Sequence, residues 1–472
     1  MKRELWILFF TSVCFLSSTQ LEAGLHNVPI VIPASQVHVA QFHPLSKYRV
    51  FRTDPDGTAV LIPFQIDQKD KYGDYILDQG KHPTAKFSNG IFSNQDELCV
   101  MGNDVGIRRQ PTKWTIPKPN ILYEVEFKKG AKEGAIYLGV YFTEPPPLAK
   151  ENYVAFDLAN AQVTTSRYRY LFNNKNYLVV RGVDIEGQKE EQIILSSSVF
   201  LKMDLKYFLT FSVGHSDIES ELDAFKVGPV RVITRVNFDY KILKLKFDLG
   251  MYTEVSFFAN AVFLPAVIDN PLDGKKTLNK GSYFYYGLAL VENPLTLKPT
   301  ANMPAIEEKG KSVATDAESR VGHYWAAAKS SNYMLYLEFQ PSIQMLKDQN
   351  VPYMYVENVG AEELKKRKGG TPLPLGKSPV NVAVSFDLDN FRAGVHDVRF
   401  RLFVENIVQD SVLEEFKTID QWHIMAARLP ILADLSAPPS QARKLMSSFR
   451  TKKHEEPVDD RKFRTRRTGS SK

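Results

Sequence analysis

Cysteine is almost missing from this chain of 472 residues: Cys14 and Cys99 are the two present. Cys14 falls in a segment read below as removable, so no internal disulfide is expected. Disulfide-stapled small folds are thereby excluded, and stability has to come from the size of the core. Histidine offers no metal pattern either. His26, His38, His43, His82, His215, His323, His396, His423 and His454 are scattered, with no HxH or HExxH pair. On an extended strand the five residues from His38 to His43 place the two rings on opposite faces. A Gly-x-Ser-x-Gly elbow, a phosphate loop, a dinucleotide fingerprint and an internal repeat are all lacking. After the amino-terminal head there is no long apolar run. The stretch Val255–Ile268 is broken by Ser256, Asn260 and Pro265, so no helical anchor in a bilayer is expected.

The head itself is informative. Lys2 and Arg3 precede an apolar run from Leu5 to Leu16, and Leu21-Glu22-Ala23 leads into Gly24. A basic start, about a dozen apolar residues and a small exit residue describe a cleavable secretory signal over 1–23. The apolar run is shorter than the ~20 residues that span a bilayer. The expectation is export to the periplasm or beyond, with a mature chain starting near Gly24. Thr11-Ser12-Val13 before Cys14 fits a lipid-attachment signal poorly.

The net charge of +6 is unevenly distributed. Residues 436–472 carry eleven Lys/Arg against four Asp/Glu, and the body from 24 to 435 is close to neutral. A hydrophobic content of 43% and an aromatic content of 12% support large cores. The length calls for two or three domains. Glu144-Pro145-Pro146-Pro147 marks a seam, because consecutive prolines cannot enter a ladder. The expected organisation is a smaller β domain over 24–143, a larger β-sandwich region over 148–435, and a disordered basic tail over 436–472.

Period-two alternation runs through the body. Val382, Val384, Phe386 and Leu388 alternate with Ala383, Ser385, Asp387 and Asp389. Val398, Phe400, Leu402 and Val404 alternate with Arg399, Arg401 and Phe403, and Leu243–Leu249 behaves likewise. With many further strands between Gly, Pro and Asn turns, the fold class is mainly β: a small barrel or sandwich, then a large antiparallel sandwich. Helices are few: an acidic turn from Asp217 to Phe225, another over Ala361–Lys368, and Ser411–Met425, whose Val412, Phe416, Ile419 and His423 share one face.

The most distinctive segment is Pro63-Phe64-Gln65-Ile66-Asp67-Gln68-Lys69-Asp70-Lys71-Tyr72-Gly73-Asp74-Tyr75. It is followed by Asp96-Glu97-Leu98-Cys99-Val100-Met101 and Asp104-Val105-Gly106. Clustered carboxylates with a turn glycine can cradle Ca²⁺, with Asp67, Asp70 and Asp74 as ligands and Asp96 or Asp104 from the second loop. The alternative is a solvated turn in which Asp accepts backbone N–H groups, and Lys69 and Lys71 disfavour a cation. This paired pattern, with Val227-Gly228-Pro229-Val230-Arg231 farther on, resembles exported bacterial β-rich proteins of no assigned activity. It is similar, more faintly, to exo-acting rhamnogalacturonan lyases with an amino-terminal β-barrel. The resemblance implies a barrel followed by a sugar-enzyme-like sandwich and maps no catalytic residue. Where those proteins carry a glutamate after the Gln-Ile-Asp triplet, this chain has Gln68.

Carbohydrate contact would use aromatic faces, and Tyr283, Tyr285, Tyr324 and Trp325 form the richest aromatic patches; aromatic residues also fill strand cores. Asp217, Glu219, Glu221 and Asp223 read as a solvated acidic face or helix start or, alternatively, a site for a cation or a basic partner. In the tail, Arg443, Lys444, Lys452, Lys453, Arg464, Arg466 and Arg467 suit an anionic surface or partner, with nucleic acid disfavoured by export. The leading expectation is an exported, non-catalytic binding or scaffold protein of the envelope, with a glycan or envelope protein as partner. The alternative is a polysaccharide-acting enzyme of lyase type or a carbohydrate-binding protein.

Overall fold

The computed structural model describes residues 28–187, 192–206, 209–214, 217–242, 245–270, 273–290, 296–297, 324–329, 332–348, 353–358, 380–406 and 409–429. The leader, the basic tail and the helix expected at Ala361–Lys368 lie outside them. The fold is mainly β, as the alternation requires. Among the described residues there are three sheets, with three, six and eighteen strands.

The eighteen-stranded sheet begins at Val154–Asp157 and runs by antiparallel neighbours to Gly394–Glu405. Tyr168–Asn173 buries every second residue, the signature of a strand with one face on a core. The largest core joins Tyr168 and Phe172 from the early strands to Leu288, Phe386 and Phe400 from the later ones. The sheet therefore folds over and packs on itself. Gly394–Glu405 shows how one strand serves two environments. Val398, Phe400, Leu402 and Val404 enter that core, while Phe403 on the reverse face packs under the helix Asp410–Lys417, its ring 4.5 Å from Phe416.

Two expectations about helices are corrected. The segment from Asp217 is not an acidic helical turn: Ile218–Val227 is a strand, its Ala224 and Phe225 paired with the first region. The segment Ser411–Met425 is helical only from Asp410 to Lys417. A short 3-10 turn covers Ile419–Gln421, and His423–Leu429 is a strand. The apolar spacing at Val412 and Phe416 is genuinely helical. Beyond Thr418 the register breaks, and Ile424 and Ala426 alternate with exposed residues at period two.

That last strand changes how the two halves of the chain relate. His423–Leu429 pairs with Ile121–Lys129 and forms the edge of the six-stranded sheet built otherwise from residues 48–140. In the opposite direction, Gln79 and Gly80 pair with Phe225 and Ala224 in the large sheet. Gly80 sits at φ +111°, and a Cβ there would lie 2.6 Å from the Ala224 Cα, so only glycine allows this approach. Each half thus lends a strand to the other, an exchange that boundaries at 143 and 148 cut across. The proline stretch between them is held: Lys47 Nζ and Arg49 Nε donate to the carbonyls of Thr143 and Pro146.

Candidate ligand-binding cleft

Two sequence islands, Gln65–Asp67 and Gly228–Arg231, meet at the junction of the halves. Gln65–Asp67 pairs with Glu97–Met101, setting Asp67 opposite Glu97. A Cβ on Gly228 would fall 2.0 Å from Gln65 Oε1, so the glycine makes room for that side chain. Gln65 Oε1 accepts from the Arg231 N–H (3.1 Å), and its Nε2 donates to Asp67 Oδ1 (2.8 Å). The Arg231 side chain, 2% exposed, then donates to Asp67 Oδ2 (2.7 Å) and Glu97 Oε2 (2.8 Å). Lys226 Nζ lies 2.7 Å from Asp67 Oδ1, and Lys69 pairs with Glu97. Burial alone would raise the Asp67 carboxyl. Arg231 and Lys226 outweigh it and hold the group down at about 2. Glu97 is likewise held below its ordinary value, burial being overcome by Arg231 and Lys69.

Tyr75 carries this network toward solvent. Its OH donates to Glu97 Oε2 (2.7 Å), and Arg231 and Lys69 stand over its ring at 4.8 and 4.6 Å. Its N–H donates to Glu254 (3.2 Å) and its carbonyl accepts from Arg235 (2.8 Å). Arg235 also donates twice to Glu254 Oε1 (2.6 and 3.0 Å). Even so, burial pushes Glu254 above the usual carboxylate range. Tyr252 OH donates to Asp74 (2.5 Å), and burial together with Asp74 raises that phenol. The loop between Lys69 and Tyr75 closes as an Asx turn: Asp70 Oδ1 accepts from the N–H groups of Tyr72 and Asp74 (2.8 and 3.1 Å), with Gly73 at φ +89°. Its tip presents Tyr72, half exposed.

Above this network lies an open cleft of about 2500 Å³, with walls from both halves. One wall is the loop bearing Tyr72 and the strand Pro29–Pro33. The other is the outer face of the large sheet, with Phe263, Arg399 and Arg401, and then Trp422. Arg401 donates to both Asp420 oxygens (2.8 and 2.9 Å) and stands 5.3 Å over the Phe263 ring. Aromatic rings and paired guanidinium groups thus share the cleft lining with Lys71, Lys81 and Lys86 and with amide side chains such as Asn89 and Asn94.

The strand Pro29–Pro33 is the edge of the three-stranded sheet. Gly102 N donates to the Val28 carbonyl and Ala34 N to that of Asp96, in the register Pro29↔Met101 to Pro33↔Glu97. Even-numbered residues therefore bond inward. Pro29, Val31 and Pro33 turn their backbone groups away from the neighbouring strand.

The five carboxylates read as calcium ligands do not converge. Asp67 is taken by two cations, Asp70 by its own turn and Asp74 by Tyr252. Asp96 accepts from the N–H groups of Ser93 and Lys69 (2.6 and 3.0 Å). Asp104 accepts from Tyr153 OH (2.8 Å), and burial pushes it up to about 6. Among the described residues no three His, Cys, Asp or Glu side chains could hold a metal ion. The aromatic patches lie elsewhere too. Tyr283 packs on the Phe200 ring, Tyr285 is buried, Tyr324 stands opposite Phe339 in its ladder, and Trp325 packs on Tyr336 under Lys417. Tyr283, Tyr285 and Trp325 do not line the cleft. The tail residues Arg443 to Arg467 lie outside the described residues. What sequence reasoning missed is Tyr72, Arg235, Tyr252, Glu254 and Trp422. The available signal was arginine at i and i+4 (Arg231, Arg235) and at i and i+2 (Arg399, Arg401), which puts each pair on one strand face.

No family model matches the chain, and no curated protein matches it. Solved structures to which it is similar include an alpha-mannosidase from Enterococcus faecalis V583, at 9% identity and a TM-score of 0.39, covering 86% of this chain and 44% of that one. A protein in the glycosyl hydrolase family 38 from Enterococcus faecalis gives 9% and 0.40, with 86% and 46% covered. The gh92 family glycosyl hydrolase ccman5 gives 10% and 0.24, with 58% and 33% covered. The chain spans less than half the length of each of these proteins. Likenesses at these scores carry no argument about activity.

Proposed function

We propose that the protein is an exported, non-catalytic glycan-binding protein whose ligand lies in the cleft between its two halves. One observation carries the reading. The acidic groups of the cleft spend their oxygens on the protein's own donors, while aromatic and guanidinium faces remain on the lining. Aromatic faces suit the C–H surfaces of sugar rings, and fixed polar groups at their edges orient hydroxyls. Proton transfer needs a group free to exchange its proton, and the tyrosines Tyr75 and Tyr252 are held as phenols first by burial and then by the adjoining carboxylates Glu97 and Asp74. Export rests on the leader at 1–23, and the basic tail would meet anionic envelope surfaces. The test is a glycan array followed by calorimetry on the purified protein, with assays for unsaturated products and new reducing ends. Binding that survives without product formation is expected. Turnover of any bound glycan would overthrow the non-catalytic part.

A second reading, a polysaccharide-acting enzyme, is favoured by one feature. Glu254 is pushed up and Glu97 pulled down, and both bond to Tyr75. Carboxyls driven apart in this way are how an acid and a base are set side by side. On that reading Glu254→Gln abolishes product formation and leaves binding intact.

A further inference from the structure

One wall of the cleft differs in charge from the rest. Between Lys71 and Asn89 the lining carries Lys71, Lys81 and Lys86, and its single carboxylate, Asp74, already accepts from the Tyr252 phenol. Lys71 and Lys86 stand over the rings of their neighbours Tyr72 and Phe87, at 4.9 and 5.1 Å. Tyr72 and Phe87 are each 48% exposed, so an apolar surface lies beside each ammonium group. Lys71 has no carboxylate partner among the described residues. Lys81 pairs with Glu221 at 3.0 Å, but both side chains are more than half exposed, and such a pair is readily exchanged for a ligand's anion. We infer that this wall selects charge, and that the glycan in the cleft carries carboxylate or sulfate groups on its sugar rings, an inference that rests on the glycan reading and names the chemistry within it.

Three physical points support it. The floor beside this wall is itself positive: along the network Lys226–Asp67–Arg231–Glu97–Lys69, three cations meet two carboxylates. Both carboxylates are held below their ordinary values, so the surplus positive charge persists at neutral pH. Buried under the cleft, it is screened less than a surface charge and favours an anion above it. The second point concerns which cations are committed. Arg235 is bonded to Glu254 and Arg401 to Asp420, so the guanidinium forks that suit a phosphate backbone are already used. Lysine is a point charge on a flexible stem and meets a lone carboxylate or sulfate without that fork. The third point is what surrounds the lysines. Tyr72 and Phe87 offer surface to sugar C–H groups, and the exposed amides of Asn89 and Asn94 can donate to hydroxyl oxygens.

The test is calorimetry on the full mature chain at low salt. Probes are a hexagalacturonate and its carboxyl-reduced form, a galactan hexasaccharide with and without sulfate, hexaglutamate, and a single-stranded hexanucleotide. At least one anionic saccharide is expected to bind, with its neutral counterpart weaker by about tenfold or more, the loss expected for one or two charge-assisted bonds. Loss on carboxyl reduction marks a uronate ligand, and loss on desulfation marks a sulfated one. Lys71→Glu/Lys86→Glu should weaken that binding by about tenfold or more. Lys275→Glu/Lys280→Glu makes the same change of charge on exposed residues outside the cleft and should shift it by less than about twofold. All four lysines are exposed, so both variants should melt with the natural protein. Equal binding of charged and neutral forms, or equal losses in the two lysine variants, overturns the charged wall and leaves the glycan reading standing. Tighter binding of hexaglutamate or the hexanucleotide also overturns it. If no saccharide binds, charged or neutral, both readings fall.

Discussion

Asp67 and Asp104 are both buried carboxylates of the first half, and both face the second half across the same seam, yet they are treated oppositely. Asp67 meets Arg231 and Lys226 at 2.7 Å each and is held down at about 2. Among the described residues Asp104 takes one hydrogen bond, from the Tyr153 phenol. It feels Arg52 only at a distance, and Arg52 is itself paired with Asp54. Burial pushes it up to about 6, and Glu151 adds to the push. Depth does not decide a carboxylate's state; the number and charge of its donors do. One end of the seam is a saturated ionic latch, and the other carries an acid undersupplied with partners.

The largest expected effect comes from breaking the latch. Arg231→Met leaves Asp67 and Glu97 buried without their shared guanidinium, and stability to urea should fall by about 3–5 kcal/mol. A loss below about 1 kcal/mol would mean the latch is no more than a surface pair.

Next comes the other end, where the sign reverses. Asp104 binds its proton more tightly folded than unfolded. Its cost is therefore present above about pH 6 and is relieved as pH falls toward 4. Asp67 does the opposite: its contribution is full above pH 4 and is lost as pH falls from there toward 2. Asp104→Asn should melt several degrees higher than the natural protein at pH 7.5 and no higher at pH 4. Parallel melting curves across that range would erase the contrast between the two carboxylates.

Tyr153→Phe probes the same site from the donor side. It strips the buried carboxylate of its hydrogen bond and should cost about 1–3 kcal/mol at pH 7.5. The penalty should shrink at pH 4.5, read by denaturant titration at both values. The smallest effect belongs to the rim. Lys81 and Glu221 pair at 3.0 Å with both side chains more than half exposed, so Lys81→Ala should change stability by about 0.5 kcal/mol or less.

The β character was legible because alternation is local. Val398 to Val404 and Tyr168 to Asn173 declare one buried face in a handful of residues. The seam was legible only as a pattern. Asp67, Asp70 and Asp74 read as metal ligands because acidic spacing is visible in sequence, whereas the arginine that claims Asp67 lies far along the chain at 231. Gln68 also has a local meaning: its amide donates to Asn89 and to the Ile91 carbonyl. Trp422 was read as part of a helix since Val412 and Phe416 set a helical period that stops at Thr418. The cleft has no contiguous signature. Its walls come from residues near 30, 72, 235, 263, 400 and 422, which only the fold brings side by side.

The traded strands also constrain how the molecule comes into being. A polypeptide made from its amino end delivers Ile121–Lys129 early, but the ribbon that completes its edge arrives almost last. Until then that edge stands open to strangers of its own kind. Maturation should lean on a holding chaperone, and a chain halted before residue 423 should aggregate instead of leaving a usable fragment.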